Sequence, residues 1–176
     1  REIGSPTYES EFCTATRVSE QQSMVMFGQV ITTESPKRIA DVCGLDGELC
    51  REFAQEPWEI IRVAAEAAYD RSSDCNFTTF VGYEYTGTPG TSNYHRNVIF
   101  KDENVPNLPV SYVEAPLDSW LWRELDKTCK QEDGCEYLTI PHNTNLSNGR
   151  MAPYSSLDRD LDSRRNYAVS RLDKEP

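Results

Sequence analysis

The spacing of apolar and polar positions changes several times along the chain, and each change predicts an element. Between residues 19 and 31, Met24, Phe27 and Ile31 recur at spacings of three and four, which predicts a helix whose first turn Ser19 caps. Pro36 suits the first turn of a short helix through Val42, which Gly44 would end. Over 57–72, Trp58, Ile61, Ala65 and Ala68 recur at helical spacing behind Pro57, and the alanine-rich body suits close packing on a sheet. The period then shortens to two. FTTFVGYEYT (77–86) and YHRNVIF (94–100) are rich in aromatic and β-branched residues, with GTPGTSN between them, and this predicts a hairpin. If its turn centres on Pro89-Gly90, Glu84 lies directly opposite His95, with Cβ atoms about 5 Å apart.

A proline-rich connection follows over 101–116. Asp118 is then placed to cap a helix through about residue 130, with Leu117, Leu121, Trp122 and Leu125 on one face. Cys129 to Cys135 turns the chain into a strand over 136–140, which puts His142 at its C-terminal tip. A polar loop with Asn143, Asn145, Ser147, Asn148 and Gly149 comes next. Residues 160–172 read as an exposed helix with Leu161, Tyr167, Ala168 and Leu172 inward. A helix feeding a strand is an α/β step, and in open α/β and barrel folds the strand tips carry the site.

Charge and cysteine content narrow the function classes. Lysine and arginine number 18 against 29 acidic residues, a net charge of −11 without a basic cluster, so a nucleic-acid phosphate backbone would be repelled. No run of about 18 apolar residues is present, which excludes a transmembrane helix within this sequence. The chain opens at Arg1 and stops at Lys174-Glu175-Pro176 without a closing element or a signal peptide. It therefore reads as an internal piece of a longer protein. Six cysteines lack any C-x-x-C spacing, and their even number favours disulfides and a periplasmic or secreted location. Cys43/Cys50 and Cys129/Cys135 bracket short glycine-containing loops, which leaves Cys13 with Cys75. Free thiols in a cytosolic protein are the alternative.

The chain has two histidines, His95 and His142, and both fall in the strand segments just described. With Glu84 they suggest a metal site, since imidazole plus carboxylate suits zinc, manganese or iron rather than calcium. Arg96 is the candidate to neutralise an anionic substrate, Asn143, Asn145 and Asn148 to orient it, and Tyr85 or Asn97 to support the imidazoles. Each has a plain competitor. Glu84 has a lesser reading as a core residue paired with Arg96, and each histidine taken singly as a structural histidine bonded to backbone carbonyls, but the three together favour a metal. Strand alternation points Arg96 away from His95's face, and the asparagines suit a turn in which side chains bond backbone.

GYEYT, NYHRNVIF, IPHNTNLSNG and YAVSR, in this order, resemble motifs of the polymerase and histidinol phosphatase (PHP) superfamily. They resemble most closely its large, mostly bacterial domain-of-unknown-function family 3604. The resemblance covers 57–176 and leaves 1–56 as a variable helical insertion. It implies an α/β fold, part of a distorted (β/α)7 metallohydrolase barrel whose strand tips bind roughly two or three divalent ions. It implies Glu84 as a metal-bridging carboxylate and His95 and His142 as metal ligands. Asn143 stands where proline is common in the superfamily. The His-x-His, Asp-His and Asp-x-His ligands of such proteins do not occur in this chain. The expected function is that of part of a metal-dependent hydrolase acting on a small anionic substrate such as a phosphoester. The alternative is a non-catalytic, secreted, disulfide-braced binding module, carbohydrate-associated, on a degenerate barrel.

Overall fold

The computed structural model describes residues 3–5, 7–129, 134–142, 146–149, 151, 161–172 and 174. The elements follow as α1 (Glu11–Val18), α2 (Glu20–Ile31), α3 (Ala40–Cys43), α4 (Glu48–Ala68), β1 (Gly82–Gly87), a 3-10 turn (Pro89–Thr91), β2 (Tyr94–Phe100), α5 (Asp118–Cys129), β3 (Tyr137–Pro141) and α6 (Leu161–Leu172). Among the described residues the sheet has three strands in the order β1-β2-β3, antiparallel at both pairings. This is an α+β arrangement, and the expected α/β (β/α)7 barrel does not form. A parallel pair needs a crossover of about a dozen residues or more. The link from β1 to β2 is a tight turn, so the hairpin read from the sequence already rules out the all-parallel sheet that the resemblance implied.

The inner face of the sheet carries the core. Tyr85, Val98, Phe100 and Thr139 are buried there under α5, whose Leu121, Trp122 and Leu125 supply the opposing layer, as their spacing predicts. Trp58 of α4 packs edge-on to Tyr83 and Phe100 and donates its indole N–H to the Pro106 carbonyl at 2.8 Å. Trp122 donates to Thr139 Oγ1 at 3.0 Å, and Tyr85 donates to the Ala115 carbonyl. The buried polar tips are thus satisfied, which a core so rich in Tyr and Trp requires. Burial also pushes the Tyr83 and Tyr85 hydroxyls well above the usual phenol range, so both remain neutral donors.

Several local expectations change. Ser19 does cap α2, accepting from Gln22 N at 3.3 Å, but Met24 (74 % exposed) and Phe27 (55 %) face outward rather than into a core. Helix α4 starts at Glu48 and runs unbroken through Pro57 and across the 56/57 boundary, so Pro57 sits inside a helix rather than in its first turn. The disulfide from Cys43 to Cys50 ties its first turn to α3. The Cys129–Cys135 bond is also present, whereas Cys13 and Cys75 are free thiols, which corrects the third pairing. Cys13 lies on α1 and Cys75 in an exposed turn after α4, where no loop closure draws them together. Thiol titration of the native protein is accordingly expected to find two reactive groups of six; none would restore the Cys13–Cys75 bond. The two disulfides point to an oxidising, extracellular environment. No described helix is long and apolar enough to cross a membrane.

Candidate functional site

Side chains alternate along the sheet, so the face opposite the core is dictated by register. Glu84 pairs with Asn97, and Thr86 with His95, two residues away from the expected Glu84–His95 opposition. The turn explains the shift. Gly90 and Thr91 both adopt left-handed backbone (φ 55° and 62°), which centres the reversal between them rather than on Pro89-Gly90. A shift of two preserves side-chain parity. Glu84 and His95 therefore become diagonal neighbours on the outer face, a separation that long side chains span.

His142 joins them from β3. Its backbone N–H donates to the His95 carbonyl at 3.4 Å, continuing the β2–β3 ladder by one residue beyond Pro141. The two imidazoles stack with ring centroids 5.8 Å apart and planes 28° from parallel. Both reach the same atom: His95 Nδ1 lies 3.0 Å and His142 Nε2 3.6 Å from Glu84 Oε1. Among the described residues, His142 Nε2 is buried without a hydrogen-bond partner, while the Glu84 side chain is 49 % exposed. Thr86 Oγ1 stands 3.3 Å from His95 Nδ1. Sequence reasoning passes over Thr86, although alternation places it on the face of Glu84.

The other expected site residues lie elsewhere. Arg96 is on the core face, 0 % exposed, 3.2 Å from Asp118 Oδ2 and donating to the Met151 carbonyl at 3.1 Å. It cannot meet a substrate on the outer face, which corrects its expected role. Asn148 donates to Ser92 Oγ at 3.0 Å, which ties it to the hairpin turn. Asn143 and Asn145 lie outside the described residues. Tyr85 turns inward to Ala115 and supports neither imidazole, whereas Asn97 sits on the outer face beside Glu84.

The donor set can be tested against a metal. Ligands about 2.1 Å from a tetrahedral ion stand about 3.4 Å from one another, and the nitrogen–oxygen separations of 3.0 and 3.6 Å bracket that spacing. Two imidazoles and a carboxylate are also the protein ligands of open catalytic zinc sites. The three meet as a contact cluster and not as a finished shell. Among the described residues, no group of three or more His, Cys, Asp or Glu side chains is arranged to hold an ion as it stands.

No curated protein and no solved structure matches the chain significantly. A family model described as "Protein of unknown function (DUF3604)" matches residues 4–176.

Proposed function

Since the chain belongs to the DUF3604 family, whose description assigns no activity, we propose a function from its own residues: a metal-dependent hydrolase, phosphoesterase-like. The observation that carries this reading is the meeting of His95 and His142 at one oxygen of Glu84. The motifs GYE, HRNVIF and IPHN support it by their likeness to the PHP superfamily, whose chemistry is metal-assisted hydrolysis. Glu84, His95 and His142 would hold the ion. A divalent ion bound there supplies Lewis-acid polarisation of an ester oxygen and a lower pKa for water.

The chain's own part is positioning. The β2–β3 ladder fixes both imidazoles side by side. The Arg96–Asp118 pair, on the opposite face of the same strand, holds β2 against α5 and ties it to Met151. Hydrolysis of p-nitrophenyl phosphate is expected to rise on addition of zinc or manganese and to vanish with a chelator. Turnover insensitive to both would remove the metal from the reaction.

A non-catalytic, disulfide-braced binding module is the second reading. The lack of a finished metal shell among the described residues favours it. It requires a folded protein that binds ligand on the outer sheet face with no turnover under any metal.

A further inference from the structure

The outer face of the sheet changes character along the strands. At one end stand Glu84, Thr86, His95 and His142, and at the other Phe80, Ile99, Leu138 and Ile140 line a groove of about 330 Å³. Register places the two halves side by side. Ile140 pairs with Asn97, which pairs in turn with Glu84, and Leu138 pairs with Ile99. Ile140 precedes His142 by two residues, about 7 Å along the strand, and Ile99 follows His95 by four, about 13 Å. An ion pair of Lys101 and Glu136 at 2.6 Å flanks the far end of the groove.

We propose that this groove is a substrate subsite for a small aromatic group of one or two rings, carried by the ester held at the Glu84, His95 and His142 end. The proposal rests on the hydrolase reading for what that end holds. Volume supports the class: an apolar cavity of about 150 Å³ accepts benzene, so roughly twice that accepts two fused rings. Charge supports it as well. The chain carries a net charge of −11 and its expected substrate cation, Arg96, is buried on the other face. Lys101, the cation at the groove, is already paired with Glu136. Recognition of the substrate therefore falls to apolar contact more than to charge. A strip of four side chains bounded by charged groups is also far smaller than the roughly 20–30 residues that each partner gives to a stable protein interface.

Equilibrium binding of three probes tests this: naphthylmethylphosphonate, methylphosphonate, and naphthalenemethanol, which lacks the anionic group. The intact protein is compared with Ile140→Asn and Phe80→Ser, both at partly exposed positions, with folding checked by circular dichroism. The naphthyl phosphonate is expected to bind at least about tenfold more tightly than the methyl compound. Either substitution should erase most of that difference and leave methylphosphonate within about twofold. Equal affinity for the two phosphonates, or a naphthyl preference unchanged in both variants, overturns the subsite. Naphthalenemethanol separates the two claims. If it binds the intact protein and not the variants while His142→Ala leaves methylphosphonate binding unchanged, the groove stands and the hydrolase reading falls. Self-association that both substitutions abolish would instead assign the groove to a second copy and overturn the proposal.

Discussion

Asp118→Ala is expected to destabilise the fold by about 3–5 kcal/mol, because it breaks a fully buried ion pair between the sheet and α5. Arg96 and Asp118 are 0 % and 1 % exposed, and their contact at 3.2 Å crosses from the centre of the sheet to the first turn of α5. Asp118 also accepts from Ser119 N at 2.7 Å, so truncation removes a first-turn acceptor from the helix as well. Replacing both partners with apolar residues, Arg96→Met with Asp118→Leu, should cost far less, since a buried pair replaced by packed hydrophobes is often neutral. Urea unfolding of the two variants measures the difference. Losses of under about 1 kcal/mol for Asp118→Ala would mean that the pair is solvated. The prediction bears on function because Arg96 directly follows His95, so any loosening of β2 reaches the site.

The second large effect concerns the site itself. His142→Ala is expected to lower kcat/KM for p-nitrophenyl phosphate by at least about a thousandfold. Lewis-acid stabilisation is worth several kcal/mol, and each ~1.4 kcal/mol is a factor of ten in rate. Unfolding midpoints should barely move, because the His142 side chain is partly exposed and its backbone bond to the His95 carbonyl survives the substitution. A His142→Ala enzyme with near-normal turnover would place the chemistry elsewhere on the chain.

Much of this was legible in the sequence wherever one periodicity ruled. Leu121, Trp122 and Leu125 announce the buried face of α5, and alternation along GYEYT and YHRNVIF announces both faces of the hairpin. Alternation also separates Arg96 from His95, and the glycine-containing loops announce the Cys43–Cys50 and Cys129–Cys135 bonds. What failed depended on information that spacing does not carry. The hairpin register hangs on the left-handed backbone of Gly90 and Thr91, and no sequence rule picks a threonine for that conformation. The amphipathic pattern of α2 gives a stripe without saying what covers it, and Met24 and Phe27 are left exposed. Pro57 marks a helix start by preference only, and α4 passes through it. The barrel came from motif resemblance alone, and the short β1–β2 connection contradicts it.

The central claim is that Glu84, His95 and His142 together hold a divalent ion. Metal content after dialysis against zinc or manganese, by elemental analysis of the intact protein and of His95→Ala and His142→Ala, tests it most directly. The expected result is about one or more equivalents per chain in the intact protein and a small fraction of that in each variant. An intact, folded protein that retains no metal, indistinguishable from both variants, would contradict it.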